Sequence, residues 1–348
     1  MLIRRARTVV CYWDGPQLVA NNFRCKTFVA MTPVAVLLLS LLNEWCSPEQ
    51  LATQLPQFKP ATVLATVRRL LKNNLLVQKY TPAAMEDEKI QLSWSAWMPH
   101  AAFFHFATKD VPYESDTKEL HRIEKQLLRR SSQPPFFKSY PKSLKITLDR
   151  PKSQTEFVRV LLRRRTQRHF SPRPLPLSVL SWLLYYTWGT TGSLEVSTLG
   201  RLPLKTSPSA GARHPIEVYF LSTRITGLPP GLYHYNSKAH LLEQLRIVDN
   251  PGIKAAMFCV GQSWTKQAAA IFIMTAVFAR TMWKYPTPRA YRTVLLDAGH
   301  LCQTFYLTST WLGLAPFCTM ALKDSLIEAE LGIDGVNESV LYICGVGM

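Results

Sequence analysis

Acidic residues are scarce in this sequence: 23 Asp and Glu stand against 41 Lys and Arg, a formal charge of +18 with a pI near 9.7. The excess is spread over both halves of the chain rather than gathered in a tail. It fits an anionic partner, whether nucleic acid, an acidic peptide or a phosphorylated cofactor, and says nothing about fold. Metal-ligand spacings are missing too. The seven cysteines are an odd number, widely spread, with no Cys-x-x-Cys and no Cys/His pattern, so no metal site is expected and reduced thiols in a cytoplasm are the simplest reading. The most apolar stretch, 31–42, falls well short of the ~20 residues that a membrane-spanning helix needs, and residues 1–7 lead into no signal-like apolar segment. Internal repeats are absent. A composition 47% hydrophobic and 18% charged buries enough apolar surface to exclude the disordered and collagen-like classes. The expectation is a globular cytoplasmic protein, in which 348 residues suggest two domains at about 150 residues each.

The first 90 residues are expected to form one of them. Thr32-Pro33 opens an apolar helix over 32–45, with Thr32 as N-cap and proline at the first helical position. Ser47-Pro48-Glu49-Gln50 starts a second helix in the same way. Lys59-Pro60 opens a third, with Val63, Leu64, Val67, Leu70 and Leu71 on one face, and 75–80 reads as a strand. Helix, short helix, helix, strand is the winged-helix order. Arg68, Arg69 and Lys72 lie on the third helix, where they suit a DNA groove, a peptide clamp that works through strand addition, or simply a solvated face.

Residues 91–152 read as a connecting region, with an aromatic cluster (Trp94, Trp97, Phe103, Phe104, His105, Phe106), a charged helical stretch over 115–130, and a Ser131-Ser132-Gln133-Pro134-Pro135 linker. The second domain, 153–348, opens on a helix over 155–164 and alternates helices and strands. Helices are predicted over 177–188 and 292–312. Strands are predicted over 216–222, 231–235, 241–248, 268–279 and 340–346. The class is α+β, a mixed sheet sandwiched by helices.

Two segments of this domain suggest chemistry. Arg163-Arg164-Arg165-Thr166-Gln167-Arg168 contains no acid. Planar guanidinium forks beside a hydroxyl suit a dianionic phosphate, although a basic helix end favoured by the helix dipole has the same composition. Farther on, the small-residue loop Thr206-Ser207-Pro208-Ser209-Ala210-Gly211-Ala212-Arg213-His214-Pro215 stands directly before a strand, where backbone can approach a flat ligand or simply turn.

Arg-Arg-Thr-x-Arg-x-Phe followed some forty residues later by Pro-Ser-Ala-Gly-Ala-x-x-Pro-x-Glu-Val-Tyr resembles the FMN-dependent nitroreductase superfamily, specifically the SagB/ThcOx-type azoline dehydrogenases of ribosomal peptide maturation. Trp283-Lys284-Tyr285, Arg289-Ala290-Tyr291-Arg292 and Leu295-Leu296-Asp297-Ala298-Gly299-His300 are similar to that branch. The resemblance covers about 155–348, and the N-terminal region fits the clamp domain such enzymes often carry. It implies that Arg164, Arg165, Thr166 and Arg168 bind the FMN phosphate and ribityl chain. Pro208, Ser209, Ala210 and Gly211 would approach the isoalloxazine, usually from the partner subunit of a homodimer. The loop over 318–322, including Thr319, Met320 and Ala321, would lie near the flavin N5 edge, although it lacks the glycine and aromatic common there.

Lys284 and Tyr285 match the family's paired catalytic residues. Oxidation of a thiazoline or oxazoline to its azole removes a ring proton and a hydride. A lysine serves as the base when desolvation or neighbouring cations, here Arg289 and Arg292, lower its pKa. The implied partners are a precursor peptide with leader and core, and a cyclodehydratase. His300, on an apolar helix, reads as a core histidine, and Cys318 as a small packing residue. Two alternatives stay open: another flavin-dependent peptide desaturase or nitro/quinone reductase, and a winged-helix nucleic-acid-binding redox regulator.

Overall fold

In a computed structural model the chain is described at residues 1–130, 133, 135–138, 141–142, 144–148 and 155–348. The linker expected at 131–135 and the boundary near Ser153 fall largely outside these residues.

The main sheet has six strands, in the order Leu241–Ile247, Gly231–Asn236, Ile216–Ser222, Ala270–Val277, Glu338–Gly347 and Ala315–Thr319. Strand Ala270–Val277 is buried along almost its whole length, and side-chain alternation divides it between two faces. Phe272 and Met274 enter one core with Trp188, Phe220 and Phe305, while Ile271 and Ile273 enter another with Phe258 and Phe317. Helices Leu177–Trp188 and Tyr291–Trp311 cover the first face; Pro251–Phe258 and Asp324–Leu331 cover the second. The α+β class and the helix-covered sheet are therefore as expected. The word mixed needs correction, because every neighbouring pair in this sheet is antiparallel. Among the described residues, parallel pairing is confined to a two-residue ladder, Leu175–Pro176 with Ile225–Thr226. Strands joined by a short turn, such as Gly231–Asn236 and Leu241–Ile247, have no crossover that would let them run parallel.

Residues 1–77 contribute a separate core, built on helices Pro33–Leu41, Pro48–Gln54 and Pro60–Lys72. The first helix stops at Leu41 rather than residue 45. Strand Ile3–Arg5 takes over the backbone that follows: Arg5 N–H donates to the Leu42 carbonyl at 2.7 Å, and Ile3 and Cys46 exchange bonds of 2.9 Å. The expected strand over 75–80 shortens to Leu76–Gln78, paired antiparallel with Ile3–Arg5, because Tyr80 turns the chain at φ +66°. A three-stranded antiparallel sheet, Val9–Asp14, Gln17–Asn22 and Thr27–Ala30, precedes the helices. Of the third helix's cations, Arg69 is partly engaged, its Nη2 donating to the Ala30 carbonyl at 2.8 Å.

The start of the expected connecting region is not a spacer. Trp94, Trp97, Ala102 and Phe106 are fully or nearly fully buried in the same core as Phe278 and Tyr291. The Trp94 indole donates to the Val336 carbonyl at 2.9 Å, and Lys109 forms a buried ion pair with Glu328. Two further expectations change in ways that matter for the site. The apolar run over 268–279 is a strand only to Val277, after which Phe278–Met282 is helical. His300 is exposed, since the buried stripe through Val294, Ala298, Leu301, Cys302 and Phe305 leaves position 300 facing outward.

Candidate functional site

The cationic segment follows helix Glu156–Arg163, whose N-cap Thr155 accepts from the Val158 N–H at 3.5 Å. The chain then runs irregularly, pinned where Gln167 N–H donates to the Pro316 carbonyl at 2.8 Å and where the Thr166 and Tyr306 hydroxyls meet at 2.9 Å. Arg164 lies over the Tyr306 ring at 5.3 Å and Arg168 over the Trp264 ring at 5.5 Å. Arg165 donates to the carbonyls of Leu162 and Arg164, at 3.1 and 2.7 Å. Among the described residues no carboxylate pairs with any arginine of this cluster. Aromatic faces and carbonyls thus hold the guanidinium groups in place and leave their charge available.

The 206–215 loop is tied to helix Tyr291–Trp311. Ser207 and Thr304 share a 2.6 Å hydroxyl contact, Ser209 Oγ donates to Asp297 Oδ2 at 2.5 Å, and Ala210 N–H donates to Asp297 Oδ1 at 3.4 Å. Burial pushes the Asp297 carboxyl up, against these two donors. Gly211, Ala212 and His214 have φ of +60°, +54° and +44°, a run of left-handed backbone that costs about 1 kcal/mol or more at each non-glycine position. A Cβ on Gly211 would lie 2.5 Å from Tyr285 Oη and 2.8 Å from Lys284 Nζ.

That proximity joins two motifs far apart in sequence. The helical turn Phe278–Met282 brings the chain off strand Ala270–Val277 and presents Trp283-Lys284-Tyr285 to the loop, with Tyr285 N–H donating to the Thr281 carbonyl at 3.0 Å. From the far side the Trp97 indole donates to the Tyr285 carbonyl at 3.0 Å. Lys284 Nζ is 3.5 Å from the Gly211 carbonyl and 5.6 Å from the Tyr285 ring centroid. Arg289 and Arg292, expected as the cations beside Lys284, instead line a separate cavity of about 590 Å³ with His100 and Phe104. The cation that shares a partner with Lys284 is Arg213, whose Nε donates to the same Gly211 carbonyl at 3.2 Å while its guanidinium lies over Trp283 at 5.3 Å.

The third predicted segment, 318–322, is wired to the first. Cys318 Sγ accepts from Tyr342 Oη at 2.9 Å and from Tyr306 Oη at 3.4 Å, and Tyr306 also holds Thr166. Burial raises both phenols well above their usual range, so they remain donors. Cys318 is therefore more than a packing residue. Thr319 Oγ1 accepts from the Ala321 N–H at 3.1 Å; Met320 is exposed, and Ala321 and Leu322 are buried. Sequence reasoning missed Tyr306, Tyr342 and Trp97 as supports, since each reads locally as an ordinary core aromatic.

The phosphate of a flavin mononucleotide fits the guanidinium cluster, whose arginines have no carboxylate partner among the described residues. All seven cysteines are free thiols. Among the described residues, no group of three or more His, Cys, Asp or Glu side chains is placed to hold a metal, and no helix is long and apolar enough to cross a membrane.

Comparison with known proteins places the second half of the chain among nitroreductases. The Nitroreductase family pattern matches residues 161–348. The trifolitoxin-processing protein TfxB of Rhizobium leguminosarum bv. trifolii is 33% identical over 173 residues, 49% of this chain and 46% of TfxB, so the chain spans about half the length of that relative. The candidate nitroreductase MJ1384 of Methanocaldococcus jannaschii is 33% identical over 189 residues, 54% of this chain and 88% of MJ1384. The trifolitoxin operon protein TfxC, also from R. leguminosarum bv. trifolii, is 25% identical over 310 residues, 82% of each chain. With more than half its length matched by the family pattern, the chain belongs to the nitroreductase family.

Proposed function

We propose that this protein is an FMN-dependent dehydrogenase that converts thiazoline or oxazoline rings in a ribosomally made precursor peptide to thiazoles or oxazoles. The convergence of Lys284, Tyr285 and Gly211 carries this reading. An ammonium and a phenol packed against the loop expected to meet the isoalloxazine form an acid–base pair that a reductase fed by a nicotinamide does not require. Lys284 Nζ takes the ring proton, and Tyr285 orients the lysine or relays that proton. Arg164, Arg165, Thr166 and Arg168 hold the cofactor phosphate and ribityl chain, while Pro208, Ser209 and Ala210 approach its ring plane. FMN held there would supply the hydride acceptor, with dioxygen as the terminal oxidant. The relative TfxB, named for the processing of trifolitoxin, supports a biosynthetic role of this kind.

A homodimer suits the site, with the 208–211 loop serving the partner's flavin. An exposed apolar surface supports it: Phe157 (64% exposed), Leu162 (70%), Trp182 (54%) and Trp311 (45%), with the Trp182 and Trp311 rings stacked at 6.4 Å. Patches of this kind mark association sites. The N-terminal region, winged-helix-like in its helix order, is the place for the leader peptide or a cyclodehydratase, in a cytoplasmic setting.

The test is mass spectrometry of a thiazoline-containing peptide incubated with FMN-loaded protein, where a loss of two hydrogens per ring is expected. Lys284→Ala should abolish that loss while FMN remains bound by absorbance. Undiminished oxidation by this variant, or wild-type protein that refuses FMN, overturns the reading.

A further inference from the structure

A cavity of about 890 Å³ opens beside the Gly211 loop, toward the upper end of the ~300–1,000 Å³ typical of ligand sites. Its wall carries Arg201, Lys205, Arg213, Lys238 and Arg280, with Glu217 as its one acid. Glu217 is already engaged, by Arg280 at 2.5 Å and by His234 at 3.2 Å. The other four cations have no carboxylate partner among the described residues. Arg201 donates to Ser193 Oγ at 2.7 Å and Lys205 to Ser237 Oγ at 3.2 Å, which orients both charges without neutralising them. Strand Gly200–Leu204 and its flanks, the Gly211 loop and the turn after Gly231–Asn236 each contribute, so the cations surround a volume much larger than one phosphate.

Arg213 ties this cavity to the chemistry. Its Nε shares the Gly211 carbonyl with Lys284 Nζ, at 3.2 and 3.5 Å. A carboxylate held by Arg213 therefore stands within one loop of the proposed base.

We propose that this cavity docks carboxylate side chains of the peptide substrate, acidic residues that flank the ring being oxidised, and so fixes which ring reaches Lys284. The inference rests on the peptide reading of the function and adds the substrate's acidic character to it. Separate cations around a broad cavity engage spaced carboxylates one by one, and the attraction falls as salt rises.

The test uses the FMN-loaded full chain, with fluorescence anisotropy of a dye-labelled peptide of alternating Glu and Gly and of its Gln isostere, at low and moderate salt. The Glu peptide is expected to bind at least about tenfold more tightly than the isostere. Arg201→Gln combined with Lys238→Gln should erase roughly that tenfold difference, whereas Arg129→Gln with Arg130→Gln, on the exposed helix Thr117–Arg130, should change it less than about twofold. Retained FMN and an unshifted thermal transition establish that both variants are folded. Equal binding of the two peptides, equal loss in both double variants, or occupation by inorganic phosphate without Glu-peptide binding overturns the proposal. Charge-selective binding without ring oxidation would sink the reaction and spare this subsite; ring oxidation with charge-blind binding would do the reverse.

Discussion

The cationic segment at 163–168 and the Gly211–Lys284–Tyr285 cluster are built in opposite ways. The first is local: four arginines within six consecutive residues carry its charge, the helix before it ends where they begin, and its outside ties are a few contacts with Tyr306, Trp264 and Pro316. The second assembles from four distant parts of the chain, since Gly211, Lys284 and Tyr285 meet only because Asp297 anchors the loop and Trp97 anchors the Tyr285 backbone. A charge cluster that binds a phosphate tolerates open, mobile side chains because Coulomb attraction is broad in distance and direction. Proton abstraction does not, because rates fall about 100-fold for misplacements near 1 Å. Under the proposed function, that difference suits one site being exposed to solvent while the other is packed and backbone-strained.

Substitutions should separate the two regions. The largest effect is expected from Gly211→Val, which puts a branched side chain where even a Cβ meets Tyr285 and Lys284, at a φ that disfavours it. Turnover at saturating FMN should fall by about 100-fold or more, as steady-state kinetics will report; turnover near wild type would remove the packed-site argument. Arg164→Ala with Arg165→Ala should do the converse. Loss of charge-assisted bonds worth about 1.5–3 kcal/mol each weakens FMN by roughly 100-fold or more in a fluorescence titration, while kcat at saturating FMN stays close to wild type. A smaller effect is expected from Trp97→Phe, which keeps the ring but deletes the donor to the Tyr285 carbonyl. A loss of about 1 kcal/mol, seen as a severalfold lower kcat with an unchanged FMN affinity, would place Trp97 as a positioning residue.

The remaining effect is one of stability and leaves turnover at neutral pH untouched. Burial, reinforced by Lys205, lowers His214 from 6.5 to about 4. Between those values the unfolded chain takes up a proton that the folded loop refuses, so His214 leaves stability unaffected above pH 6.5 and reduces it as pH falls toward 4. Urea unfolding at several pH values should show that decline, and His214→Gln should flatten it; an equal slope in the variant would assign the decline to other groups.

Much of the fold follows from local patterns. The helices that open at Thr32-Pro33, Ser47-Pro48 and Lys59-Pro60 begin where their prolines predict, although only Ser47 caps with its side chain and Thr32 does not, and the strands over 216–222 and 231–235 follow their apolar patterning. Errors cluster where distant partners intervene. Strand Ile3–Arg5 claims the backbone at Leu42 and Cys46 and so ends a helix that apolar content alone would extend. Residues 278–279 read as more strand until the Phe278–Met282 turn buries Phe278 against Trp94. Arg289 and Arg292 are near Lys284 in sequence, yet it is Arg213, some seventy residues earlier, that shares its carbonyl partner.

Sequence alone determined the arginine cluster with no acid among its neighbours, the glycine that permits a left-handed turn, and the α+β class, because charge, backbone freedom and side-chain period are properties of neighbouring residues. Only the tertiary structure decided that Lys284 and Tyr285 face Gly211, that tyrosines wire Thr166 to Cys318, and that the free cations around the larger cavity enclose a volume. Those depend on how the sheet, the helix Tyr291–Trp311 and the aromatic cluster at 94–106 pack together, and close packing sets distances that no local pattern encodes.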